Sequence, residues 1–228
     1  MIDPSEQPLK TRLLQAITPH VIFDGWGPES FAMAVADCGA SLEDANAACP
    51  RGAIDLAAEF HRLGDQKMLD AAKDLPLSEM RIRERVAALV LARLDAVQDK
   101  ELVRRGSSLF ALPNHATEGA GLIWGTADAI WTALGDTSQD GNWYSKRAVL
   151  SGVYGSTVLF WLGDESEDIL ATREFLDRRI ENVMQFEKAK AAAQKLPIFG
   201  ALISNVMSGI KAPGTTTRDD LPGSINRT

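Results

Sequence analysis

The stretch Glu29–Ala48, ESFAMAVADC-GAS-LEDANAA, decides the fold. It reads as a helix over Glu29–Cys38, a three-residue turn Gly39-Ala40-Ser41 and a second helix over Leu42–Ala48. A short Gly-containing turn between two helices is the helix-turn-helix pattern. Upstream, Leu9, Leu13, Leu14 and Ile17 share one face of a helix over Leu9–Val21, which completes a three-helix unit. Downstream, the helical period continues in Ile82, Val86, Leu89, Val90, Leu94 and Val97, and again in Ile169, Leu176, Ile180, Val183 and Met184. No segment alternates apolar and polar residues long enough to predict a strand. Breaks fall at Pro- or Gly-marked points such as Gly27-Pro28, Cys49-Pro50, Leu75-Pro76, Leu112-Pro113, Gly135-Asp136 and Gly163-Asp164. The predicted class is all-α, with about ten helices.

Helix length divides the chain. Before Pro76 the predicted helices are short, roughly 8–14 residues. After it they are long: Ser78–Val97, Asn114–Leu134, Asp140–Leu162 and Glu165–Ala193. This predicts a helix-turn-helix-like subdomain over residues 1–75 and a helical bundle over 76–193. A C-terminal amphipathic helix over 194–211 and a disordered polar tail over 212–228 are expected to follow. The order resembles tetracycline-repressor-type regulators, in which a DNA-reading end precedes a ligand-binding bundle. The charge is wrong for a reader. No Lys or Arg occurs between Leu13 and Pro50, whereas Asp24, Glu29, Asp37, Glu43 and Asp44 do. A recognition helix opening on Glu43 and Asp44 repels phosphate. Nucleic acid is therefore not expected as a partner.

Composition agrees. The 228 residues are 45% hydrophobic and 24% charged, with a formal net charge of −7, which suits a globular chain and not a generic nucleic-acid binder. Two cysteines, Cys38 and Cys49, form no disulfide framework, and a reducing compartment fits. Met1-Ile2-Asp3-Pro4 lacks the basic flank and apolar core of a secretory signal, so none is expected. No run reaches the ~18 apolar residues of a spanning helix. The expected location is cytoplasmic, peripheral on the inner face of the cell membrane.

Several motifs together resemble a family. They are Pro19-His20-Val21-Ile22-Phe23-Asp24-Gly25-Trp26, Thr126-Ala127-Asp128-Ala129-Ile130-Trp131, and Gly135-Asp136-Thr137-Ser138 through Asp140, Asn142-Trp143-Tyr144 and Lys146-Arg147-Ala148. Asp164-Glu165-Ser166-Glu167-Asp168 and Phe175-Leu176-Asp177-Arg178-Arg179-Ile180 follow. In this order, over roughly Leu9 to Lys190, they resemble the coenzyme Q biosynthesis accessory lipid-binding family, the ninth Coq protein. The resemblance implies a tetracycline-repressor-like fold without DNA binding, no enzymatic activity of its own and no cofactor. It further implies a homodimer, an isoprenoid lipid or quinone precursor in the bundle, and docking on the demethoxyubiquinone hydroxylase. Gly141 departs from the pattern, where a bulky residue such as Phe is expected.

The aromatic motif has two readings. Asp136–Asn142 superficially matches a calcium loop, but its twelfth position is Arg147, a cation. Asp140 is better read as the cap of the next helix, from which Trp143 and Arg147 project four residues apart on one face. Buried aromatics near a helix start are common, yet an exposed Trp/Tyr/Arg group is the composition of binding hot spots. With the resemblance, Asp140, Trp143, Tyr144 and Arg147 are the expected docking patch. Trp124 and Trp131 lie seven residues apart with Asp128 between them, and Val149–Leu162 is apolar nearly all round. Such a helix requires burial, in the core or at a dimer seam; alternatively Trp124, Trp131, Val153 and Tyr154 line a tunnel for an isoprenoid tail. Both demand the same hydrophobic surface.

Leu196–Ile210 carries no charge and is flanked by Lys188, Lys190, Lys195 and Lys211. Phe199, Leu202, Ile203, Val206 and Ile210 make one stripe. At ~1.5 Å per residue it reaches ~22 Å, short of the ~30 Å hydrocarbon core. It fits a helix lying in the membrane interface, or a last helix packed on protein. His20, His61 and His115 are scattered, and no metal pair, nucleophile elbow or P-loop occurs. The leading expectation is a lipid-presenting accessory protein of ubiquinone synthesis. The alternatives are a regulator sensing a hydrophobic ligand, and a membrane adaptor with no quinone connection.

Overall fold

The computed structural model describes residues 7–97 and 99–194, with side chains to Gln185. Among the described residues there are nine α-helices and no strand. They are α1 (Leu9–Asp24), α2 (Pro28–Asp37), α3 (Leu42–Ala48), α4 (Ala53–Ala72), α5 (Ile82–Asp95), α6 (Lys100–Phe110), α7 (Ala116–Ala133), α8 (Gly141–Leu162) and α9 (Leu170–Gln194). Single 3₁₀ turns occupy Leu77–Glu79 and Glu167–Ile169. The amphipathic segment with Phe199, Leu202, Ile203, Val206 and Ile210, and the tail 212–228, lie outside the described residues. No helix among the described residues is long and apolar enough to cross a membrane.

The deciding stretch folds as its sequence predicts. Gly39 takes φ +59° and closes α2, its N–H donating to the Ala36 carbonyl at 2.9 Å while that of Ala40 donates to Val35 at 3.2 Å. That left-handed conformation favours glycine. Ser41 then caps α3 by accepting the Asp44 N–H at 3.0 Å.

Three features differ from expectation. The helices before Pro76 are not all short, since α1 has 16 residues and α4 has 20. Helix α1 runs on through Pro19; the Gln15 carbonyl, which the missing Pro19 N–H would have served, instead accepts the Thr18 hydroxyl at 3.0 Å. Helix α4 passes through Gly64, whose bare Cα leaves room for a guanidinium: a Cβ there would lie 2.5 Å from Arg93. Second, α6 has no counterpart in the sequence reading, because Gly106, Ser107 and Ser108 blur its period. Asp99 starts it by accepting the Glu101 N–H at 2.7 Å. Third, the last helix begins at Leu170 and not at Glu165. Asp164 organises that entry, accepting from the Ser166 and Thr172 N–H groups, both at 2.8 Å, and from both hydroxyls. The Ser166 and Thr172 hydroxyls hold its carboxyl well below the usual carboxylate range.

The core falls into two main clusters that share α4. Leu13, Ile17 and Val21 of α1 pack with Phe31, Leu56 and, from α6, Leu102. The second joins Met68 of α4 to Leu89 and Val90 of α5, Ile130 of α7, Leu150 of α8 and Leu176 of α9. Leu102 thus belongs to the first cluster although it follows the sequence-drawn boundary at residue 75. Two side chains tie α6 to the end of α1 and its following loop: Trp26 Nε1 donates to the Leu102 carbonyl at 3.2 Å, and Arg105 donates to those of Ile22 and Phe23. Between α4 and α6–α8 an apolar space is left open.

Candidate functional site: an aromatic corner and an apolar cavity

The corner is built by laying one face of α7 along the first two turns of α8. Asp140 caps α8, accepting the Asn142 N–H at 3.0 Å, so the capping expectation holds. Gly141 is the first residue of α8 and is buried. Past that cap Trp143 and Tyr144 meet edge to face at 4.8 Å between centroids, and Trp124 of α7 joins them at 6.0 and 6.4 Å. All three rings are half-buried, and Asp140 beside them is exposed.

Arg147 is not on this surface. Its side chain is 3% exposed and lies beneath the rings, the guanidinium carbon 4.0 Å from the Trp143 centroid. It donates to Asp128 at 2.5 Å, to Asp136 at 3.0 Å and to the Trp143 carbonyl at 3.2 Å. Asp136 is equally enclosed and also accepts from Lys146 at 2.6 Å and from the Ser138 hydroxyl at 2.8 Å. Burial alone would raise its carboxyl; the donors Lys146, Ser138 and Arg147 outweigh that and hold it well below the ordinary range. The loop's carboxylate is therefore taken up by protein cations and a hydroxyl, and Arg147 locks the patch from below.

A cavity lies between α4, α5, α6, α7 and α8. It measures about 390 Å³ and is walled mainly by Trp26, Phe60, Leu102, Phe110, Val158 and Trp161, with Gly155 giving it room and Gly119 letting Phe110 approach closely. One part of the wall is polar. Arg93, 4% exposed, donates to Asp65 at 2.6 Å and to the His61 carbonyl at 2.9 Å. Thr126 Oγ1 donates to Asp65 at 2.8 Å and lies 2.9 Å from His61 Nε2. Burial, then the charge of Arg93, push the His61 imidazole down to about 4, so it is neutral at pH 7. Burial pushes the Tyr154 phenol up.

The four residues read as a single tunnel do not line one space. Tyr154 faces this cavity, whereas Trp131 and Val153 line a second, of about 280 Å³, between α5, α8 and α9. Trp124 belongs to the aromatic corner. The reason is the pairing of α7 with α8. The face bearing Trp124, Asp128 and Trp131 is spent on α8, with Asp128 on Arg147 and Trp131 Nε1 donating to the Lys146 carbonyl at 3.1 Å. The first cavity's wall draws on other faces of α7 and α8 together with α4, α5 and α6. Helix α8 is also not covered on every side, because Leu159 and Phe160 are exposed, Phe160 stacking on Phe175 of α9 at 4.4 Å. The polar cluster of His61, Asp65, Arg93 and Thr126 was missed in the sequence. Its one signal is a charged residue, Arg93, on the apolar face of the Ile82–Val97 pattern.

Residues 116–187, which include α7, α8 and much of α9, match the COQ9 family model. The chain is 29% identical over 191 residues to the bovine mitochondrial ubiquinone biosynthesis protein COQ9, covering 79% of this chain and 59% of that protein. It is 27% identical over 199 residues to the human protein of that name, again covering 79% and 59%. An 80-residue stretch is 40% identical to the rat protein, over 35% of this chain and 26% of that one. The chain thus spans under two thirds of the curated relatives it matches. Among solved structures, the TetR transcriptional regulator from Nitrosomonas europaea superposes with a TM-score of 0.63 at 19% identity, over 77% of this chain and 97% of that one, a likeness of fold. The chain is similar to the COQ9 proteins over most of its length, matches the COQ9 family model at residues 116–187, and has a tetracycline-repressor-like fold.

Proposed function

We propose that this protein is a non-enzymatic, lipid-binding accessory protein of ubiquinone biosynthesis. It takes up isoprenoid quinone precursors at the membrane and presents them to the demethoxyubiquinone hydroxylase. The observation that carries the reading is an apolar cavity of about 390 Å³ together with a half-buried aromatic patch, both built in part from the residues that match the COQ9 family model. A space of that size is at the lower end for a small-molecule site. It holds a head group and part of a tail, and ~0.8 kcal/mol per buried methylene is regained there when a chain leaves the bilayer. The patch of Trp124, Trp143 and Tyr144, with Asp140 at its edge, is the docking surface for the hydroxylase. The exposed Leu159 and Phe160 on α8, next to Phe175 of α9, fit a seam between two copies. The face that would meet DNA shows Leu42, Glu43 and Asp44, all exposed, so nucleic acid is not a partner.

Native mass spectrometry with lipid extraction tests this. A dimer carrying an isoprenoid quinone or its precursor is the expected result, and an empty protein that rejects added short-chain quinone overturns the lipid role. The membrane role rests on the sequence of Leu196–Ile210. Replacing Phe199 and Leu202 by Ser is expected to reduce co-flotation with anionic liposomes by about tenfold and to leave the melting temperature unchanged. Undiminished flotation removes that role.

A further inference from the structure

The cavity is apolar except where Arg93 enters it, and a buried guanidinium in such a wall calls for an explanation. Charged groups are expelled from low-dielectric space unless paired. Arg93 is half-answered: Nε donates to Asp65 at 2.6 Å and Nη2 to the His61 carbonyl at 2.9 Å, while Nη1 donates to no protein group among the described residues. The position is fixed from behind, since Gly64 gives the guanidinium the volume a Cβ would take. Thr126 donates to Asp65 from its other side and itself meets His61 Nε2. The rings of Trp26 and Phe60, 5.6 Å apart, belong to the same wall. This arrangement leaves the Nη1 amino group without a protein acceptor among the described residues, on a side chain that lines an otherwise greasy space.

We propose that Arg93, braced by Asp65 and the His61 carbonyl, is the head-group anchor of this cavity. It donates from Nη1 to an uncharged oxygen acceptor, such as a ring carbonyl or aryl ether, on a lipid whose hydrocarbon lies against Trp26, Phe60 and Val158. The inference rests on the lipid-cavity reading above. The charge of the cluster selects the ligand class. Arg93 is already neutralised by Asp65, and His61 is uncharged at pH 7, so the pocket has no net charge to offer a phosphate or carboxylate. A neutral acceptor satisfies Nη1 without bringing in an uncompensated charge.

The test is displacement of the neutral dye N-phenyl-1-naphthylamine from the full chain by three ligands with the same two-isoprene tail: a benzoquinone, the bare hydrocarbon and the monophosphate. The unmodified protein is expected to bind the quinone at least tenfold more tightly than either of the others. The charge-neutral double variant Arg93→Met/Asp65→Asn is expected to lose that preference and keep its affinity for the hydrocarbon. Gly155→Leu, which fills the apolar space, is expected to weaken all three. Equal affinities for quinone and hydrocarbon, a preference for the monophosphate, or an undiminished quinone preference in the double variant overturns the anchor and leaves the lipid cavity standing. A Gly155→Leu variant with no effect on any ligand overturns both. Should the double variant not fold, the ligand series on the unmodified protein still decides.

Discussion

Replacing Arg147 by Met is expected to destabilise the protein by about 3–5 kcal/mol, the cost of breaking a buried ion pair by removing one partner. At ~2–4 °C per kcal/mol for a chain of this size, the melting temperature should fall by about 10 °C. The loss comes from the Asp136 side. Arg147 and Asp136 are each 3% exposed in their side chains, and removal of the guanidinium leaves an enclosed carboxylate with Lys146 and Ser138 as its donors. The Asp128 contact adds little, because that carboxylate is 44% exposed and screened by water. Asp136 also dictates a pH dependence. Its folded carboxyl is held below its unfolded value, so its contribution is complete above the unfolded value, ~4 for an aspartate. It is lost as the pH falls below that, through the folded value. Acid titration of Asp136→Asn, followed by circular dichroism, should show a flatter acid limb than the parent. A melting temperature for Arg147→Met within 2–3 °C of the parent would mean that the cluster contributes little to stability.

The fold was legible because its deciding signals are local. The Gly39 turn, the Ser41 and Asp140 caps and the apolar stripes of α5 and α9 each act within a few residues, where sequence spacing and structure correspond directly. The misreadings arose where a distant group settles the outcome. The helices before Pro76 were read as short, yet α4 runs on through Gly64, because Arg93 occupies the space a Cβ would take there. The candidate site was legible only in part for the same reason. Trp143 and Arg147 were correctly placed on one face, yet which of them is covered depends on Asp128 and Asp136. The residues that wall the cavity have no common motif, because they meet only through packing across five helices, α4 to α8.

Trp143→Ala is expected to weaken association with the proposed hydroxylase partner by at least about a hundredfold, the loss typical of an aromatic hot spot. Stability should fall by only about 1 kcal/mol. The asymmetry follows from where the ring sits. Trp143 covers Arg147 at 4.0 Å and meets Tyr144 at 4.8 Å and Trp124 at 6.0 Å, yet the ring is only half-buried and keeps part of its surface in solvent. Truncation therefore removes a rigid apolar surface from the patch and lets water reach Arg147, whose ion pairs with Asp136 and Asp128 persist. Trp143→Phe keeps a ring over the guanidinium and should recover most of the stability but only part of the binding, since the larger indole surface is what the partner would bury. Pull-down and melting curves on the three proteins separate the possibilities. A melting temperature for Trp143→Ala as low as that of Arg147→Met would make Trp143 part of the scaffold, and unchanged association in a well-folded variant would place the docking surface elsewhere.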